Sequence, residues 1–216
     1  MILALDTTSE FGSLALVDAD RVVDEVLLHA PEGFGHILYP RLEQLLARNG
    51  VNVNEMECFA AASGPGSFTG VRIGLAAIKG LAEASGRPAV AVSNLQALAW
   101  FGTRPMRATL LDARRGEVYG AVYDDRLELV RPEVVMKFPD WLRTLPAGEL
   151  EFVAADFVPF SPHADQRIPA VTAPRALAAA VGRIALARFL AGQASDPAAL
   201  DANYVRRSDA EILWKA

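Results

Sequence analysis

The sequence has a single cysteine, Cys58, among 216 residues, so no disulfide can close within the chain and no thiolate cluster can hold a metal. Histidine is almost as scarce. His29, His36 and His163 stand apart, and neither HExxH nor HxxxH occurs, which removes the common zinc-ligand spacings. No apolar run approaches the length needed to span a bilayer. The opening MILALD enters a strand pattern at once, with neither a basic region nor a cleavage site, so no signal peptide is expected and the cytoplasm is the expected location. Excess positive charge is missing too. The formal net charge is −5, a poor basis for binding nucleic acid alone, because affinity for phosphates comes mainly from Lys and Arg.

What is present is the composition of a folded chain, with 52% hydrophobic and 22% charged residues, enough for one large domain or two small lobes. Cys58 falls in the apolar run 58–62 and reads as a small buried thiol. Segments 2–6, 13–18 and 21–28 are apolar, β-prone and separated by short turns, which predicts a three-strand meander. A helix is expected over 35–49, with Leu38, Leu42, Leu45 and Leu46 on one face, Pro40 near its start and Gly50 as its stop. A strand near 57–62, a glycine loop, a helix over about 69–85 and a strand at 89–92 follow.

The order then restarts. Strands are expected over 108–112, 117–124 and 127–135, a helix near 140–145, a strand at 151–155, an Ala-rich helix over 174–191 and a short helix near 209–215. LALD at 3–6 matches TLLD at 109–112, and ALVDADR at 15–21 matches AVYDDR at 121–126 with one residue deleted. The spacing from Asp6 to Asp18 equals that from Asp112 to Asp124. Equal spacing and matched element order favour a duplication: a lobe over 1–100, a second over 101–216 and a junction near 100–104.

Two loops carry the candidate chemistry. In DTTSEFG at 6–12, Asp6, Thr7, Thr8 and Ser9 either offer hydroxyls and amides to an anion or hydrated metal, or only satisfy the backbone of a turn. In SGPGSFTGVRIG at 63–74, Gly64, Gly66 and a capping Ser67 or Thr69 lead into a helix. This loop lacks the lysine of a P-loop, and Thr69 sits where GxGxxG needs its third glycine, so it is either a weak anion site or a close turn. The helix carries a narrow charged strip of Arg72, Lys79 and Glu83. Val71, Leu75, Ile78 and Ala82 make one apolar side, and Gly70, Gly74, Ala77 and Gly80 a small-residue side, which predicts burial on two sides. The second side meets either this chain or another. Arg114, Arg115 and Glu117 at a hairpin turn, and Arg206 and Arg207 in YVRRSDAE, are either solvated or part of a docking surface. No GxSxG nucleophile elbow is present.

Taken in order, ILALDTTSEFGSLAL, SGPGSFTGVRIG, AVSNLQALA and DARRGEVYGAVYD resemble the TsaB family, also called YeaZ, over most of the chain, and YVRRSDAE resembles its C-terminal segment. The resemblance implies an α/β, duplicated actin-like (ASKHA, ribonuclease H-like) two-lobe fold. It also implies a part in making threonylcarbamoyladenosine (t6A) beside the anticodon of tRNAs that read codons starting with A. On that implication the chain is no enzyme but a non-catalytic partner of a TsaD-like catalytic subunit. A TsaE-like ATPase joins, ATP and Mg are used by the complex, tRNA is met through the complex, and the chain alone is either a homodimer or a monomer. The implied partner interface lies on the first-lobe helices at Leu38, Leu42, Leu45, Gly70, Arg72, Gly74, Ala77 and Gly80. A vestigial nucleotide or anion contact is implied at Asp6, Thr7, Thr8, Ser9, Gly64, Gly66 and Ser67.

The residues themselves lean the same way. After Gly120 only Gly148, Gly182 and Gly192 remain, and EFVAADFVPF stands where a second phosphate loop belongs. TsaD-like enzymes hold a metal with paired histidines after the strand that here reads AVAV, but 93–97 has none. The alternatives are an actin-like ATP-dependent phosphotransferase, disfavoured by the missing loop, and a degenerate metallopeptidase relative, disfavoured by the missing histidines.

Overall fold

The computed structural model describes residues 1–19, 21–161 and 167–206. His163, Arg207 and the helix expected over 209–215 lie outside them. The chain divides into two units, Met1–Ala97 with Pro174–Ala202, and Leu98–Ala173 with Asn203–Ala216.

The first unit opens with the expected meander, β1 (Ile2–Asp6), β2 (Phe11–Asp18) and β3 (Arg21–His29). There follow α1 (Leu38–Arg48), β4 (Cys58–Ala62), α2 (Phe68–Ser85), β5 (Ala89–Val92) and α3 (Asn94–Ala99). The sheet order is β3-β2-β1-β4-β5. β1 pairs antiparallel with β2 and parallel with β4, which is parallel to β5. Alternation along the strands explains why β1 is buried throughout. Leu3, Leu5, Leu14, Leu16 and Phe59 form one face of the sheet and join Leu38, Leu42 and Leu45 of α1 and Val71, Leu75 and Ile78 of α2 in a single core.

Small residues line the opposite face. Here Ala15 and Val17 meet Ala178 at the start of the Ala-rich helix, α5 (Ala178–Leu190). Sequence order assigns this helix to the second lobe, but it packs on the first sheet because both surfaces are shallow enough to interlock. A Cβ on Gly182 would lie 2.6 Å from Val17 Cγ2 and 3.2 Å from the Cβ of Ala4. The sheet also caps the helix. Ser13 Oγ accepts from the amides of Leu177 (3.0 Å) and Ala178 (2.9 Å), and Glu25 Oε1 accepts from Ala179 N at 2.7 Å.

The helix ends follow local chemistry. α1 closes in a Schellman arrangement, with left-handed Gly50 (φ 64) donating to Ala47 O and Val51 N to Leu46 O. α2 starts at Ser67, whose side chain accepts from Gly70 N, and ends at left-handed Gly86 (φ 61).

The second unit holds β6 (Met106–Asp112), β7 (Glu117–Asp124), β8 (Leu129–Lys137), α4 (Phe138–Leu142), β9 (Leu150–Ala154) and β10 (Ala170–Thr172). Its sheet order, β10-β9-β6-β7-β8, repeats the first, with the same parallel and antiparallel senses. The duplication read from sequence is therefore present in topology. Its register differs by one residue, since Asp6 pairs with Ser13 but Asp112 with Val118. α4 starts earlier than expected because Pro139, which has no N–H, is accommodated in its first turn. Neither α3 nor β10 was expected. Between β9 and β10 the described residues contain only a 3-10 turn at Val158–Phe160, where the first unit has the eighteen residues of α2.

Two glycine substitutions should separate close packing from helix propensity. Gly80 has nothing within 4 Å of a built Cβ, so Gly80→Ala should stabilise the protein by about 1 kcal/mol. Gly182→Ala gains the same propensity but meets Val17 and should lose about 1–3 kcal/mol through overpacking. Urea unfolding of both variants checks the opposite signs. Equal shifts would mean that α5 does not seat closely on the sheet.

Candidate functional site

Three loops of the first unit converge at the C-terminal ends of β1, β4 and β5, the edge where parallel sheets commonly place ligands. Asp6 ends β1. Its Oδ1 accepts from the amide (2.8 Å) and hydroxyl (2.7 Å) of Thr8, and its Oδ2 accepts from Asn94 Nδ2 at 3.3 Å. The Asn94 amide reaches further, donating to Thr8 Oγ1 (2.7 Å) and accepting from Gly64 N (3.0 Å). Thr7 Oγ1 donates to Gly70 O at 2.7 Å, and Ser67 N donates to Thr8 O at 2.6 Å.

Three of the four glycines of 63–74 are explained by this contact. A Cβ on Gly66 would lie 2.5 Å from Thr8 O, one on Gly74 2.5 Å from Thr7 Oγ1, and one on Gly70 would overlap Thr7 O. The loop and the first turns of α2 thus lie directly on the β1–β2 turn. Asp6, Thr7, Thr8 and Gly64 are buried, while Ser9, Gly66 and Ser67 are exposed. Ser9 Oγ is occupied by both backbone groups of Phe11. Burial pushes the Asp6 carboxyl above its usual range, against the downward pull of the bonds from Thr8 and Asn94.

The arrangement is thus a polar knot in which carboxylate, hydroxyls and amide satisfy one another. Among the described residues, no buried side-chain N or O lacks a hydrogen-bond partner, and no three His, Cys, Asp or Glu cluster as metal ligands. Burial lifts the Cys58 thiol to about 11, so it is protonated and inert at neutral pH. Asn94 is the member that sequence reasoning missed. Its one signal was a lone amide between an apolar strand and an apolar helix.

Most of the residues assigned to a partner interface are buried. Leu38, Leu42 and Leu45 face their own core, as do Ala77 and the buried Gly70 and Gly74, whose small size serves contact with Thr7 and not with another helix. A face of period 3.6 identifies a buried side without saying what buries it. Only Arg72 and Gly80 of that set are exposed. They share the outer face of α2 with Thr69 and Ala76, beside Phe68, whose ring lies 3.8 Å from the Arg72 guanidinium. In the second unit, Arg114 and Arg115 are exposed at the β6–β7 turn, and Arg206 pairs with Glu117. No helix among the described residues is long and apolar enough to cross a membrane.

A family model described as TsaD, tRNA N6-adenosine threonylcarbamoyltransferase, matches residues 30–212. The tRNA threonylcarbamoyladenosine biosynthesis protein TsaB of Bacillus subtilis is 34% identical over 149 residues, covering 67% of this chain and 65% of that protein. The protein of the same name from Escherichia coli is 34% identical over 148 residues, covering 62% and 64%. The chain thus spans just under two thirds of the length of these curated relatives. Among solved structures, YeaZ from Pseudomonas aeruginosa superposes with a TM-score of 0.82 at 26% identity, covering 94% of this chain and 98% of that one. A second Pseudomonas aeruginosa structure, described as similar to peptidase YeaZ, gives 0.82 at 28% identity, covering 95% and 99%. These neighbours agree with a duplicated actin-like two-lobe fold.

The state of Asp6 can be read from stability. Its folded-state pKa lies above the ordinary 3.8, so the folded form holds the proton more tightly than the unfolded one. The stability this gives is complete below about 3.8, is lost as pH rises through the folded value, and is constant beyond it. Wild type should therefore lose stability relative to Asp6→Asn as pH rises above about 4, measured as urea midpoints. Parallel curves would show that Asp6 ionises like an exposed carboxylate.

Proposed function

Because this chain belongs to the TsaB (YeaZ) family, we propose that it acts in t6A biosynthesis as a non-catalytic subunit that binds and supports a TsaD-like catalytic protein. The observation that carries the non-catalytic part is the closure of the Asp6–Thr8–Asn94 cluster. A phosphate or metal entering there would have to break hydrogen bonds that already hold three loops together. That weighs against the phosphotransferase and metallopeptidase alternatives. In this reading ATP and Mg act in the complex, a TsaE-like ATPase joins it, and tRNA, a cytoplasmic molecule, is met through it.

The docking face that best fits is the outer side of α2. Thr69, Ala76 and Gly80 make it shallow enough for a helix to approach closely, and Phe68 and Arg72 at its start offer a planar anchor. Half-buried Ile73 and Leu81 flank it and supply apolar area. In the absence of the catalytic subunit the same face would pair two copies of the chain. The polar cluster beneath has a mechanical role, because it fixes the first turn of α2 to the sheet and so sets the helix in place for docking.

Co-purification with the cell's TsaD-like protein tests the reading. Wild type should retain it, and a strain lacking this chain should lose t6A. Ala76→Glu places a charge on an exposed site, so the fold should be unaffected while binding weakens by about 2 kcal/mol or more, roughly 30-fold. Undiminished binding would move the docking face elsewhere. Persistence of t6A without the chain would remove the functional reading itself.

A further inference from the structure

The turn between β6 and β7 borders a cleft of about 590 Å³ inside the second unit, within the range of small-ligand sites. Its apolar wall includes the buried rings of Phe138 and Phe160. The charged groups around it are Arg114, Arg115, Lys137, Asp112, Glu117 and Asp140. Each carboxylate already faces an arginine. Arg114 is 3.6 Å from Asp112, while Glu117 pairs with Arg206 and Asp140 with Arg143. Three cations and three carboxylates line the cleft itself, on a chain whose net charge is −5. Lys137 spends one of its three ammonium donors on Arg115 O, at 2.8 Å.

The backbone adds a second observation. Arg114 (φ 64), Arg115 (φ 55) and Gly116 (φ 70) are all left-handed. Glycine fits such positions freely, whereas other side chains adopt them at a cost. Two long basic side chains stand where glycine or asparagine would cost less. The duplication sharpens this. Asp112 Oδ1 accepts from Arg114 N at 2.8 Å, just as Asp6 Oδ1 accepts from Thr8 N at 2.8 Å. The same aspartate turn thus occurs in both units. In the first, its hydroxyls are turned inward and sealed; in the second, its basic side chains are exposed beside a cleft.

We propose that this cleft binds a phosphate ester, with Arg115 and Lys137 supplying the charge and Arg114 completing the rim. The site stands on the geometry of the second unit. Only the choice of an RNA backbone over a free nucleotide as the source of the phosphate rests on the t6A reading above.

Binding of three probes to the full chain tests this: an anticodon stem-loop RNA, ADP and inorganic phosphate, each titrated at several salt concentrations. Arg115→Ala/Lys137→Ala is compared with Arg41→Ala/Arg87→Ala, which removes equal charge from exposed positions elsewhere. The RNA should bind wild type, and the cleft variant should bind it at least about tenfold more weakly. The slope of log K against log salt should fall by about one per cation removed. Equal losses in both variants, or no binding of any probe, would overturn the site. Binding of ADP or phosphate without RNA would uphold the site and overturn RNA as its source. Retention of the TsaD-like protein, measured on the same preparations, reports on the t6A reading separately.

Discussion

The first unit depends on one buried amide. Asn94 sits at the start of α3, yet its side chain bonds Asp6 and Thr8 in the β1–β2 turn and Gly64 in the β4–α2 loop. Its backbone amide also donates to Gly64 O at 2.9 Å. These contacts join segments far apart in sequence at the one edge where β1, β4 and β5 all end. A buried polar cluster of this kind has little value unless every member is satisfied, because a single unpaired donor or acceptor costs about 1–3 kcal/mol. Full satisfaction is what makes the knot rigid. Rigidity there fixes the direction in which α2 leaves the sheet.

The two units show how a duplicated frame takes on different work. Strand order and strand sense are the same in both, and so is the aspartate that closes the first hairpin. The differences lie in what surrounds the hairpin. In the first unit, glycines let α2 settle on the turn and close it. In the second, the described segment after β9 is short and contains no such helix. Trp141 of α4 supplies bulk on that sheet instead, packed so closely over Gly120 that a Cβ there would overlap the indole.

All the sheet strands except β10 were legible because their apolar runs are short, β-branched or alternating and bounded by turns, as in 2–6 and 89–92. The duplication was legible because Asp6 and Asp112 end equivalent strands. Three features were not. Leu38, Leu42 and Leu45 have a clear helical period, but a period cannot say whether the covered face meets its own sheet or a partner. The Ala-rich helix is apolar on most of its surface, so nothing local identifies which of two sheets it covers. Asn94 belongs to no motif, because its role comes from three loops that only the fold brings together.

That Ala-rich helix has a consequence for how the protein is made. The residues that cover Ala4, Ala15 and Val17, and whose amides occupy Ser13 and Glu25, lie more than 150 positions further along the chain. While the ribosome is still translating the second unit, one face of the first sheet is a bare surface of small apolar side chains, and the core on the other face still lacks Leu200. This early sheet is therefore completed only by residues made much later. Contacts this distant in sequence slow folding and leave sticky surface exposed in the meantime. The first unit is complete only once the chain has been made as far as Ala202.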